Sequence, residues 1–150
     1  MGYDADRAIT KAKLVVRHYG TANPWKLVKR LPSVDVIPAD LGDNIMGFTL
    51  VSKRISIVTL NTQMDDDTAT VVLGHEIGHS LLTRNTGTNY FYKNAGVAAV
   101  GSSEYIANCF MFQLMFGNRG MINPMNRNLI LEQYGLPCWM SRYFELIETN

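Results

Sequence analysis

Charge is scarce in this 150-residue chain, and neither sign is in excess. Charged residues make up 18%, with 14 Lys and Arg against 13 Asp and Glu for a formal net charge of +1. Soluble domains usually carry roughly 25%. Without a surplus of positive charge the chain cannot neutralise a run of phosphates, which argues against direct nucleic-acid binding. The shortage of charge also predicts a surface patch for a partner or substrate. Cysteine is equally sparse: Cys109 and Cys138 have no paired metal spacing and read as two reduced core thiols. No apolar run reaches the roughly 20 residues needed to cross a bilayer. The nearest, from Asn94 to Asn118, is interrupted by Glu104, and the mostly apolar stretch after it reads as a buried helix. The opening Met1-Gly2-Tyr3-Asp4-Ala5-Asp6 has acid where a signal peptide needs base, and Asp6 where myristoylation needs a hydroxyl. A cytoplasmic location away from membranes is expected.

What is present suffices for one core, at 47% apolar and 10% aromatic residues. No repeat, low-complexity tract or long linker divides residues 1–150, which read as a single domain. Ala5, Ile9, Ala12, Val16 and Tyr19 recur at helical spacing and predict a first helix stopping near Gly20. Asn23-Pro24 supplies the cap and first position of a short helix through Arg30. Val34–Ile37, Ile45–Val51 and Arg54–Asn61 are β-branched or alternating runs, a small sheet antiparallel in its last two strands. A helix is predicted from the Asp65 cap to about Arg84, and another from the Gly101-Ser102-Ser103 cap to Phe116. Asn85–Val100 has no clear period and reads as a loop, while Asn123-Pro124 and Leu136-Pro137 each open a further helix. Helices, sheet and helices in that order make an α+β pattern.

The chemistry sits in the first of the two long helices, where residues 75 to 79 read His75-Glu76-Ile77-Gly78-His79. Histidines four apart lie one turn above each other and can grip one metal ion from a single face. Glu76, about 100° round the helix, is placed to act as general base on water activated by that metal. A chance match to this pattern in a chain of this composition is below about one percent. Two satisfied histidines on an amphipathic helix would be the plain alternative, but it leaves Gly74 and Gly78 unexplained. Each costs about 1 kcal/mol relative to Ala in a helix, and their spacing suggests close approach by another element.

A catalytic zinc needs three protein ligands and an open position. His18, the remaining histidine, lies opposite the apolar stripe of the first helix and reads as solvent-facing. Glu104 is the better third ligand, because an unpartnered carboxylate in an apolar helix is costly and a metal removes that cost. A first-turn acid favoured by the helix N-terminus is the plain reading of the same residue. Asn108, one turn on, could accept a hydrogen bond from a ligand histidine and fix its tautomer. Met111 and Met115 continue that face and read as core filling. Zinc suits two imidazoles and a carboxylate, with Mn2+ or Fe2+ also compatible. Tyr90 and Tyr92 are candidates, on position alone, for stabilising an oxyanion.

His75-Glu76-x-Gly78-His79-Ser80-Leu81-Leu82 followed by Glu104-x-x-Ala107-Asn108-x-Phe110 resembles the ImmA/IrrE metallopeptidases. Gly47, the strand ending in Asn61 and Tyr134-Gly135-Leu136-Pro137 extend the likeness over most of the chain. The resemblance implies a mostly antiparallel three-stranded sheet on a helical zincin-like core, with the HExxH helix at the active site. It implies His75, His79 and Glu104 as zinc ligands and Glu76 as the catalytic acid and base. It also implies a cytoplasmic protease of a phage or mobile element that cleaves a cognate helix-turn-helix repressor and so releases the genes it silences. Thr70-Val71, Gly74 and Met115-Phe116-Gly117 depart from the usual family pattern without removing a ligand. A non-catalytic antirepressor with a structural metal is the competing expectation, and a general peptidase the third. The substrate is expected in extended form along an edge of Ile45–Val51 or Arg54–Asn61, with contacts from Asn89–Lys93.

Overall fold

The computed structural model describes residues 2–84, 88, 90–93, 96, 100–120 and 122–148. The first helix, α1 (Gly2–Tyr19), buries Ala5, Ala8, Ile9, Ala12 and Val15 along one stripe. It stops where Gly20, at φ 73°, turns left-handed and donates its N–H back to the Val16 carbonyl at 2.8 Å. Asn23 caps α2 (Pro24–Arg30) by accepting from the N–H groups of Trp25 and Lys26. Both helices follow the sequence expectation.

The sheet departs from it. Four strands, β1 (Val34–Ala39), β2 (Ile45–Val51), β3 (Ser56–Asn61) and β4 (Tyr90–Tyr92), lie in the order β1-β3-β2-β4. β2 is antiparallel to β3 and to β4, but β1 is parallel to β3. The sheet is therefore mixed and four-stranded, not a mostly antiparallel three-stranded one. β4 falls in the segment expected to be a loop. Its alternation, Tyr90 and Tyr92 exposed about a buried Phe91, is a strand pattern only three residues long. Pro38 sits in β1, an outer strand with one unpaired edge, where proline is tolerated. β2 and β3 are interior strands, so neither offers a free edge along the length paired on both sides.

Behind the sheet lies α3 (Asp66–Leu82), and behind α3 lies α4 (Ser102–Phe116), which also packs on α1. α3 is therefore covered on two sides, and every residue from Val71 to Ser80 is buried. Gly47 lets β2 lie flat on it: a Cβ there would stand 3.0 Å from Val72 Cγ1 and 3.0 Å from the Thr59 carbonyl oxygen. Gly78 does the same for α4, since its Cβ would meet Ala107 Cα at 3.3 Å and Phe110 Cβ at 3.2 Å. Gly74 is different, with Met111 Cγ at an ordinary 3.4 Å. Only one of the two helical glycines is required by close approach.

The closing segments correct two expectations. Asn123 accepts from the N–H groups of Met125 and Asn126 in a local turn, so Pro124 precedes the helix α5 (Arg127–Gln133) and does not open it. Pro137 precedes a 3-10 segment, Cys138–Glu145, in place of an α-helix. Of the two thiols Cys109 is buried, but Cys138 is exposed, and both are free. Among the described residues no helix is long and apolar enough to cross a membrane.

Gly78→Ala should lower stability by about 1–2 kcal/mol, because overpacking against α4 outweighs the gain in helix propensity. Gly74→Ala should be neutral or stabilising by up to about 1 kcal/mol. Urea unfolding of the two variants reads the difference, and equal effects would show that α4 does not press on Gly78.

Candidate metal centre

Asp65 starts α3 by accepting the Thr68 N–H at 2.8 Å, and that bond lowers its carboxyl below the ordinary range. Two and a half turns further on, His75 and His79 project from one face, as their spacing requires. Their Nε2 atoms are 3.1 Å apart. From the first turn of α4, Glu104 brings Oε1 to 2.8 Å from His79 Nε2 and Oε2 to 3.1 Å from His75 Nε2. Among the described residues these three form the one group able to hold a metal ion. For metal bonds of 2.0–2.1 Å a tetrahedral site has ligand atoms about 3.3 Å apart, close to the spacings found here. The donor set fits zinc, and the His75–His79–Glu104 triad expected from sequence comes together in space.

The remaining imidazole nitrogens differ. His79 Nδ1 is 2.7 Å from Thr83 Oγ1, and the Thr83 hydroxyl in turn donates to the His79 carbonyl oxygen. Thr83 Oγ1 thus accepts the Nδ1 proton and leaves Nε2 with its lone pair free for a metal. His75 Nδ1 is buried with no partner, and the ring of Phe91 from β4 stands edge-on to this imidazole at 4.7 Å between centroids. Asn108 does not orient either histidine. Its Nδ2 donates to the Tyr143 hydroxyl at 3.1 Å, and its Oδ1 has no partner. His18 is exposed on α1 and stands outside the cluster. Met111 is buried and Met115 packs against the core, as expected of filling residues.

Glu76 is wholly buried and faces β2. Its Oε1 accepts from the Thr49 hydroxyl at 2.8 Å, while Oε2 has no partner. Burial raises its carboxyl from about 4.5 to about 7, against the smaller opposing pulls of His79 and the Thr49 hydrogen bond. Burial also opposes the charge of Glu104, but the adjacent imidazoles prevail and hold that carboxyl well below the carboxylate range. The unmet Oε2 thus belongs to a buried carboxyl that lies beside three groups able to hold a metal ion. Thr49 gave no sequence signal, because strand register alone sets it against Glu76. Thr83 was findable, one turn after His79.

Tyr90 and Tyr92 are exposed and line, with Glu104 and Asn108, a cavity of about 300 Å³. The structure thus brings both tyrosines to the same opening as Glu104. Asn89, expected to add contacts, lies outside the described residues.

No known family profile matches the chain. The chain is similar to a protein of Bacillus phage phi105 called uncharacterized immunity region protein 2. The two are 28% identical over 140 residues, a span covering 91% of this chain and 87% of the phage protein.

The purified protein should take up one divalent ion per chain, and His75→Ala or His79→Ala should abolish retention after dialysis, as read by elemental analysis. A pH effect is expected in the metal-free protein. The folded-state value of Glu76 lies above the unfolded one, so the stability it permits is complete below about pH 4.5 and falls as pH rises through about 7. Metal-free Glu76→Gln should therefore exceed the wild type at pH 8 by on the order of 3 kcal/mol and match it near pH 4, measured by urea unfolding.

Proposed function

We propose that this chain is a metal-dependent endopeptidase that cuts a helix-turn-helix repressor and so lifts the immunity of a phage or related mobile element. The observation that carries this reading is the convergence of His75, His79 and Glu104, with the unpartnered Glu76 Oε2 buried beside them. The likeness to a phage immunity region protein supports a partner that controls phage genes. Its net charge of +1 suits action on that protein and not on DNA, and the cytoplasm is where both would meet.

His75, His79 and Glu104 would hold a zinc ion, or Mn2+ or Fe2+ in its place, which would supply Lewis acidity for the scissile carbonyl and for water. The chain's own groups do the rest. Thr49 donates to Glu76 Oε1 and holds the carboxyl in place, so that Oε2 is left to take the proton of the attacking water and pass it to the leaving amine. Thr83 keeps His79 in the ligating tautomer. Tyr90 and Tyr92 line the cavity beside Glu104 and are the donors proposed for the developing oxyanion. An extended substrate segment would pair with the outer edge of β4, or with β2 beyond Phe48, where the β4 pairing ends.

The complete burial of His75 and Glu76 favours a second reading, in which the same ligands hold a structural metal and the protein inhibits a repressor by binding alone. Glu76→Gln separates the two. It should keep the metal and the fold while repressor fragments, detected by mass after incubation, fall by at least about 100-fold. If the variant relieves repression as well as the wild type does, the protein acts without cutting.

A further inference from the structure

The cavity beside Glu104 has more wall than the two tyrosine hydroxyls proposed above as oxyanion donors. Tyr90, Phe91 and Tyr92 reach it from β4, and Pro137, Trp139 and Met140 reach it from the start of the 3-10 segment. Among the described residues Glu104 is the one charged group in the lining, and its carboxylate is turned towards the two imidazoles. The wall, among the described residues, offers no free charge to pair with a charged guest, and desolvating an unpaired charge there is costly. An aromatic guest gains instead, because rings in the wall can meet it face or edge, and about 300 Å³ holds one large side chain with the backbone that carries it.

One buried polar group narrows the choice. Asn108 is 2% exposed, lines the cavity, and spends one end of its amide on the Tyr143 hydroxyl. Its other end has no partner. Either orientation of the amide leaves one polar atom unmet, a donor in one case and an acceptor in the other. A phenol hydroxyl both donates and accepts, so it satisfies either. Indole can only donate, and a phenyl ring does neither.

We propose that this cavity is the specificity pocket for the protein's peptide substrate and that it takes a tyrosine side chain, whose ring packs among the β4 aromatics and Trp139 while its hydroxyl meets Asn108. The assignment rests on the reading that a peptide is presented to the ligands at Glu104.

Binding is tested on the zinc-loaded Glu76→Gln protein, full chain, with fluorescein-labelled blocked hexapeptides identical except at one central residue. Anisotropy should give the tyrosine peptide roughly tenfold or more tighter binding than the alanine peptide, with phenylalanine between them and aspartate and lysine weakest. Asn108→Leu should erase the preference of tyrosine over phenylalanine and keep that of phenylalanine over alanine. Should that variant fold poorly, Val100→Phe, filling the space from a half-buried position in the lining, should bring every peptide to the alanine level. Equal affinity for the tyrosine and alanine peptides, binding by none, or a tyrosine preference that survives Val100→Phe overturns the assignment. Mass analysis of the same peptides with wild-type protein keeps the two ideas apart. Selective binding without cutting retains the pocket and sinks the protease, whereas cutting without selectivity does the reverse.

Discussion

The candidate metal centre depends on how closely α4 approaches α3. Glu104 stands within 3.1 Å of both imidazoles where the helices meet closely at Gly78, at which a Cβ would press on Phe110 Cβ at 3.2 Å and on Ala107 Cα at 3.3 Å. A wider separation would carry the carboxylate away from the histidines while leaving each helix intact. The two glycines of the motif thus have unequal roles. Gly78 sets the distance between the ligand-bearing helices, and Gly74 fills a place where a methyl group would fit.

The same packing creates an electrostatic problem that the site then uses. α3 is sandwiched between the sheet and α4, so the polar and charged groups of its buried stretch, from Val71 to Ser80, have almost no water. Glu76 is served on one oxygen by Thr49, His79 by Thr83, and Glu104 by the imidazoles, yet His75 Nδ1, Glu76 Oε2 and Asn108 Oδ1 have no partner. Each unmet group costs roughly 1–3 kcal/mol in a folded protein. Among the described residues three such atoms gather around one constellation, with Arg127 Nε on α5 standing apart from them, and that gathering suits a site that could hold an ion.

β4 ties this centre to the surface. One short strand pairs with β2, presses Phe91 edge-on to His75, and turns Tyr90 and Tyr92 outward to the cavity beside Glu104. It closes the sheet on the side of the candidate metal centre and gives the cavity most of its aromatic wall. Three residues with few backbone pairings hold weakly by themselves.

Local physics made much of this legible without coordinates. Helical periodicity, the Asn23 and Asp65 caps, and the spacing of His75 and His79 depend only on neighbours within a turn or two. Glu104 was legible for a related reason, since a carboxylate in an apolar helix needs a partner wherever the helix packs. The parallel pairing of β1 with β3, the strand β4, the bond from Thr49 to Glu76 and the bond from Asn108 to Tyr143 were not. Thr49 and Glu76 are 27 residues apart and Asn108 and Tyr143 are 35 apart. Such contacts follow from strand register and from the distance between packed helices, which no periodicity within either segment encodes. The residues that could hold a metal were thus written in short-range pattern. The groups that orient those ligands, cover them and shape the neighbouring cavity were decided by tertiary packing, because only burial between layers determines which polar atoms find a partner and which are left without one.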